Sequence, residues 1–572
     1  MPDLNLLNAQ LWQGDPITAA TAAATLTKQA EVVPEFVITV YDKMWTPIGA
    51  VGDYIECTGS DPRNNAGNAV LKLKGTDPYI DTFMSCKDTM VGITIETEGL
   101  RFAFYVDTFD YEFTQGEWTG TAHLVSIWDI LNYLQIWPDW FLPIQAQILS
   151  HAIYIGPMCS ALQVAVGEQA FRMQTGLWEF INTALSLDPD IRTWAGTLLT
   201  NAADFGYNIL ELLKCPIYVS YTNPFTDTSM LMCRTVRMES CASVIKDVVR
   251  ATGLDVRVDL WLPGDPQPDQ WTREFSFMAL DRPTYVVTVI DRSQITGPTR
   301  TILDSVIKTV VDVEGSLLGN TLDPILNPQG NPAGLPEGFF IAPTLGVNWV
   351  APWVLLVAPE PGDKGSVETC KFTFHTPKGF QIIIGGRSPQ WLNDLFNEFF
   401  AWVVDAISIL IGVTGIPSDL LAGFLNNSFL AFQLWQHFPR RSAVGPYHPA
   451  WEVFHSTTSA PYNVETIFDF INAFFDTRGW LCAQATCRNG EVYTLGKDVF
   501  RGALISIAYW GRKRLYTDFL ENVSWRIDKD TRDLMLHIGD GKARESPLAK
   551  HQRSLTALFE AINVITLAPQ SG

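Results

Sequence analysis

The stretch EFVITVYDKMWTPIGAV, residues 35–51, decides how this 572-residue chain is read. Phe36, Ile38 and Val40 alternate with Val37, Thr39 and Tyr41, the period of two that places successive side chains on opposite faces of a strand. Asp42-Lys43 marks a turn, and Met44 to Ile48 start back toward Gly49, Ala50 and Val51. The pattern predicts a β-hairpin. A lone hairpin is at best marginally stable in water, so this one must open a larger sheet.

Working outward, β texture continues from Glu35 to about Leu124. The polar loop TGSDPRNNAGN (58–68) leads into AVLKLKG, where Val70, Leu71 and Leu73 sit among lysines. VGITIETEG and RFAFYVDTFDYEF flank a turn at Glu98-Gly99, and GEWTGTAHLV closes the run. Five to seven short strands with regular turns predict a small barrel or sandwich over 35–125. Residues 1–34 form an N-terminal arm, helical or extended.

Residues 126–215 change character. SIWDILNYLQI, PIQAQILSHAIYI, GEQAFRMQTGLWEFINTAL and RTWAGTLLTNAADFGYNILELL space apolar residues by three and four, which predicts a helical insertion. A mixed α/β domain over 216–345 follows, with SCASVIKDVVRATGLD as a helix stopped at Gly253 and the remainder as strands and long turns. Pro- and Gly-rich DPILNPQGNPAGLPEGFFIAPTLG (323–346) reads as a loop or boundary, and 346–387 is β again.

Ser388-Pro389 is a good helix start, and from there to Trp435, within a region bounded as 388–440, lies the most apolar part of the chain. Trp391, Leu392, Leu395, Phe396, Phe399, Val403, Ile407 and Leu410 make one wide stripe, broken at Gly412 and at Gly415 to Ser418. LLAGFLNNSFLAFQLW starts a second helix, so an apolar helical hairpin is expected. Residues 441–545 are strand-rich with one helix over 462–478, and 546–572 form a C-terminal helix.

Apolar residues make up 47% of the chain and charged residues 18%, too little charge to solvate a large monomer and a sign of extensive contacts with other chains. The net charge of −21 argues against an open nucleic-acid-binding face, which needs clustered Lys and Arg. An acidic or neutral pore wall that lets DNA slide past is compatible with it, and so is plain solubility. Nine cysteines without doubled C-x-x-C spacing read as free, mostly buried thilos of a protein made in a reducing cytoplasm. No basic region followed by an apolar one occurs in residues 1–27, so no signal peptide is expected.

His448, Glu452 and His455 (HPAWEVFH) have a metal-like spacing on a helix, but Pro449 and the β-branched and aromatic neighbours favour a strand or turn with a structural role. G-x-S-x-G, H-E-x-x-H and the Walker loop do not occur, and Gly539-Asp540-Gly541 reads as a turn. No catalytic, cofactor-binding or metal residue is assigned. The stripe has two readings: a buried helical hairpin, which is favoured, or a plug that meets a membrane. Asp405 interrupts one apolar run, and Asn426, Asn427, Gln433 and Gln436 the other, so neither reaches a full span.

The opening hairpin, GGRSPQWLNDLF (385–396), FLAFQLWQHFPRRSAVGPY (429–447) with DTRGW (476–480), and YTDFLENVSW with LHIGDGKARESPLAKHQRSL (516–555) together resemble the minor tail proteins of siphophages that infect actinobacteria. The likeness spans residues 35 to 555 in order. It implies an α+β, multidomain, non-enzymatic virion protein with two β-barrel hub domains, helical insertions and the apolar helical hairpin. The strand-rich segments 35–124 and about 488–545 are the barrel candidates.

The implied role is a homotrimeric tail-tip hub that joins tube to tip and closes the DNA exit channel until ejection. Three copies of two barrels would match a sixfold tube. Implied partners are the distal tail (tube-end) ring, the C-terminus of the tape-measure protein, other minor tail proteins, passing DNA, and the host envelope on ejection. Residues assigned to tip closure or membrane contact are Trp391, Leu395, Phe396, Phe399, Phe400, Trp402, Val403, Ile407 and Leu410. The rival readings are a tail-tip cell-wall or lipid hydrolase and a peripheral receptor-binding protein.

Overall fold

The computed structural model describes residues 36–142, 147–173, 215–249, 252–362, 367–385, 432–456, Ala473 and 476–540, apart from positions 98, 277, 437, 491–492, 510–512 and 530. They fall into two compact units, one drawn from Met1–Lys371, Ala483–Lys542 and Arg553–Gly572, the other from Phe372–Cys482 and Ala543–Gln552.

The opening hairpin forms as its alternation requires. β1 (Val37–Tyr41) and β2 (Pro47–Val51) pair antiparallel with Val40 opposite Gly49, and Ile38 and Val40 point into the core. The carboxylate of Asp42 accepts from the amides of Met44 (2.9 Å) and Thr46 (2.8 Å), which holds the turn. β3 (Tyr54–Pro62), β4 (Asn68–Lys74), β5 (Gly92–Thr97), β6 (Leu100–Thr114) and β7 (Glu117–Ser126) complete the N-terminal strands. Ala69, Leu71 and Leu73 of β4 are buried while Asn68, Lys72 and Lys74 face solvent, so this strand too follows its period.

The next region builds a second layer. β8 (Ala152–Pro157) pairs with β10 (Leu231–Val236), and β11 (Leu254–Trp261), β12 (Thr284–Asp291) and β9 (Ile217–Val219) form a three-stranded sheet. Two helices, α1 (Met158–Ala170) and α2 (Cys241–Val249), pack on these strands around a core that includes Trp128, Leu162, Ile245 and Val287. α2 is where its amphipathic spacing predicts it. Ala152–Pro157, read above as helix, is a strand, because the edge of β10 captures AIYIGP in register from Ala152↔Val236 to Pro157↔Leu231. α3 (Ile302–Leu326) occupies a stretch read as strands and turns; the Thr301 hydroxyl caps it by accepting from Leu303 N–H.

After β13 (Ile295–Thr296), β14 (Asn348–Trp349) and β15 (Leu355–Val357) comes β16 (Val367–His375). In the second unit, β17 (Gln381–Gly385) lies between β18 (Phe432–Gln436) and β19 (Glu452–Ser456). FQLWQ is therefore a strand where a second helix is expected. The amides of β17 offer it a ladder, with Ile383 opposite Leu434. The arm 1–34, the rest of the expected apolar hairpin, most of the helix over 462–478 and the C-terminal helix lie outside the described residues.

The chain then returns to the first unit with β20 (Trp480–Arg488), β21 (Leu504–Tyr509), β22 (Arg514–Asp528) and β23 (Arg532–Ile538). β22 pairs with β3, Trp525 opposite Gly59, so the two strand-rich ends of the chain share one 13-stranded, mostly antiparallel sheet. Its order runs β16-β20-β23-β22-β3-β4-β7-β6-β5-β1-β2, with β21 also pairing β22 and β15 pairing β21. Four strand spacings separate β22 from β6, about 19 Å along a flat sheet at ~4.8 Å each. Trp525 nevertheless touches Phe102 and Phe104 of β6, at ring-centroid distances of 4.6 and 5.7 Å. The sheet is curled into a half-barrel around that indole.

Candidate functional site

Where the half-barrel meets the three-stranded sheet, side chains from six separate stretches build a charged seam. β11 supplies its spine: Asp255, Arg257 and Asp259 alternate with Val256, Val258 and Leu260, so one face is charged and the other enters the core. Arg501, just before β21, spans two carboxylates, Nη1 donating to Asp61 Oδ2 and Nη2 to Asp259 Oδ1. Arg257 reaches the second oxygen of Asp259 at 3.0 Å, and Arg292 reaches Asp255 at 3.2 Å.

Arg63 anchors the opposite side. Its Nη1 pairs with Glu521 Oε1 at 3.0 Å and its Nη2 donates to the Leu254 carbonyl at 2.8 Å, while the guanidinium lies 4.0 Å over the Phe519 ring. Glu521 is aimed there by a register shift of β22 between Leu520 and Asn522. Arg101 binds Glu96 (2.6 Å) and Asp265 (2.5 Å) at the far end. Asn64, at φ 53°, caps the spine by accepting from Val256 N–H (2.7 Å) and donating to the Leu254 carbonyl (3.0 Å).

Gly502 is required here twice over. Its φ is +71°, and a Cβ would lie 2.6 Å from the carboxyl carbon of Asp255.

Electrostatics decide what the seam can do. Burial acts to raise the Asp259 carboxyl, but Arg257 and Arg501 outweigh it and hold it below the ordinary carboxylate range. Arg501 loses hydration on burial, yet Asp61 and Asp259 leave it more firmly protonated than a free arginine. Arg292 is lowered, chiefly by burial, with Asp255 opposing. Each guanidinium has its carboxylate, and between the layers lies a cavity of about 30 Å³, room for a water or two. Such an arrangement holds two sheets in one orientation.

Trp391, Leu395, Phe396, Phe399, Phe400, Trp402, Val403, Ile407 and Leu410 lie outside the described residues. His448 sits in a turn, its Nδ1 accepting from Ala450 N–H at 3.2 Å, and Glu452 and His455 fall on opposite faces of β19, as the strand reading expects. Among the described residues no cluster of His, Cys, Asp or Glu has metal-binding geometry, and no helix is long and apolar enough to cross a membrane. Gly539, at φ 80°, bends the chain just after β23, and Gly541 lies outside the described residues. Five of the nine cysteines are buried and four are partly exposed.

A family model described as Siphovirus ReqiPepy6 Gp37-like protein matches residues 37–540. None of the curated proteins matches the chain. Among solved structures it is similar to the tail protein from Neisseria meningitidis MC58, at 8% identity and a TM-score of 0.34 over 90% of this chain and 99% of that one. It is also similar to the prophage MuSo2 43 kDa tail protein from Shewanella oneidensis, at 10% identity and a TM-score of 0.36 over 90% and 99%. A third is the prophage tail protein gp18 from Listeria monocytogenes EGD-e, at 9% identity and a TM-score of 0.29 over 91% and 99%.

Proposed function

The chain belongs to the Siphovirus ReqiPepy6 Gp37-like protein family, and on that premise we propose that it is a structural, non-enzymatic protein of the siphovirus tail. Within the tail it is a homotrimeric tip hub that joins the tube to the tip and keeps the DNA exit channel shut until ejection. The match over residues 37–540 carries this reading, since it takes in both strand-rich ends and everything between them. The geometry supports it physically. A part that passes force between neighbours must be rigid, and here strands more than 400 residues apart in sequence, β3 and β22, share a ladder fastened by the Arg501 seam.

In the hub the segments 35–124 and 488–545 supply the two barrel halves of the curled sheet they share, so that three chains present six comparable faces to the distal ring of the tube. The stripe from Trp391 to Leu410 closes the tip. The remaining partners are the C-terminus of the tape-measure protein, other minor tail proteins, DNA in passage and, on ejection, the envelope of an actinobacterial host in whose cytoplasm the chain is made.

A cryo-electron map of the virion with quantitative mass measurement tests the reading. Three copies on the tail axis are expected. A much higher copy number at the periphery would assign the chain to receptor binding, and a clear lysis band on mycobacterial walls would make it a hydrolase.

A further inference from the structure

The β6–β7 hairpin outruns the sheet that carries it. β5 stops pairing with β6 at Gly92↔Tyr105, and β4 leaves β7 at Lys74↔Thr119, yet β6 continues to Thr114. The tip is a two-residue turn, with Gln115 at φ 56° and Gly116 at φ 92°, the type I′ geometry whose flanking pair, Thr114 and Glu117, is hydrogen-bonded. Counting back by twos, Glu112 and Asp110 also bond to β7. The amides and carbonyls of Phe109, Tyr111 and Phe113 therefore point out of the other edge, where no backbone partner meets them among the described residues.

That edge is chemically two-sided. Phe109, Tyr111 and Phe113 form an aromatic ladder with Trp118 on one face, and its end is open, with Phe113 58% and Trp118 48% exposed. Asp110 and Glu112 occupy the other face, Asp107 precedes them and Glu117 follows. Residues 107–121 hold these four acids and no Lys or Arg. A second copy of the hairpin laid along this edge would set carboxylates against carboxylates, so self-pairing is disfavoured.

We propose that this edge takes up an extended, basic segment of another protein as an added strand. Its Lys or Arg side chains would lie over Asp110 and Glu112, and its apolar side chains would extend the ladder at Phe113. The proposal rests on the hairpin alone, and stands or falls separately from the tail assignment.

The purified full chain is titrated with a fluorescein-labelled nonapeptide of alternating Lys and Val, with an alternating Glu and Val peptide as control. Hydrogen exchange is read at the Phe109, Tyr111 and Phe113 amides. Binding of the Lys peptide alone is expected, with at least tenfold slower exchange at those amides. Phe113→Pro removes one edge amide at a position where proline is tolerated, and Asp110→Lys with Glu112→Lys reverses the charge. Each is expected to weaken binding tenfold or more, with folding checked by circular dichroism. No binding, binding that leaves the edge amides exchanging freely, or binding indifferent to both variants would overturn the proposal. Free exchange with binding intact would mark adhesion to the protein's net negative charge.

Discussion

The indole of Trp525 lies face to face with the ring of Phe102, centroids 4.6 Å apart and planes 26° from parallel, although three strands separate β22 from β6 in the sheet. The contact exists because residue 59 is glycine. A Cβ there would sit 2.4 Å from the indole, so only the bare backbone of β3 lets the ring lie across it toward β6. Trp525→Ala should cost about 3–5 kcal/mol by emptying the centre of the half-barrel. Gly59→Val should cost about 1–3 kcal/mol or more by overpacking it. Urea denaturation measures both, and a loss under ~1 kcal/mol for Trp525→Ala would show that the curl does not depend on this ring.

Arg501 bridges Asp61 and Asp259 with side chains only 15% and 12% exposed at the Arg501–Asp61 contact. Removing one member of such a group strands the others without a counter-charge. Arg501→Ala should therefore destabilise by about 3–5 kcal/mol. Arg501→Lys should recover little, since an ammonium cannot reproduce the guanidinium fork across two carboxylates. Recovery to wild-type stability by lysine would count against the bridging geometry.

Asp259 is held below its ordinary value of 3.8 by Arg257 and Arg501, against the opposing effect of burial. A carboxyl depressed on folding contributes stability that is present above the unfolded value and lost as the pH falls through the folded one. Asp259→Asn should lower stability at pH 6, and its deficit relative to wild type should shrink as the pH drops below 3.8. A deficit that stays constant with pH would assign the effect to packing alone.

His537 titrates in the opposite range. Burial lowers it from 6.5, and its Nε2 lies 2.6 Å from Ser524 Oγ. The unfolded chain then binds the proton more readily, so stability should fall as the pH drops through and below 6.5. His537→Gln should flatten that slope. Equal slopes for variant and wild type in urea titrations between pH 7.5 and 5.5 would contradict it.

The thiol of Cys57 is fully buried on β3, and burial pushes it up to about 12, with the Trp525 indole only partly offsetting this. A thiol reagent at pH 8 should leave Cys57 unmodified in the native chain and label it only on unfolding, at the global unfolding rate. Cys86 and Cys233, both partly exposed, should react first. Early labelling of Cys57, located by peptide mapping, would show that the half-barrel opens locally.

Where local periodicity is strong, the elements were legible. β1 and β4 alternate, and α2 spaces Cys241, Val244, Ile245 and Val249 along one buried face. Periodicity misleads where a neighbouring strand edge decides instead. AIYIGP and FQLWQ are short apolar runs compatible with helix or strand, and the open ladders of β10 and β17 make them strands. Of the seam, only the alternation Asp255-Val-Arg257-Val-Asp259 carried a signal: charges at every second position of an otherwise apolar strand need partners on that face.

What the sequence determined by itself is local: a period of two in EFVITVYDKMW makes a strand, and Asp42 ends it by binding the amides of Met44 and Thr46. The tertiary structure decided that this hairpin and the strands beyond residue 500 form one sheet, and that Trp525 fills its curl. No spacing encodes that Asp61, Asp259 and Arg501 meet, because ion pairs act over a few ångströms of space and are blind to distance along the chain. Strand period is a property of the backbone. Partnership is a property of the packed whole.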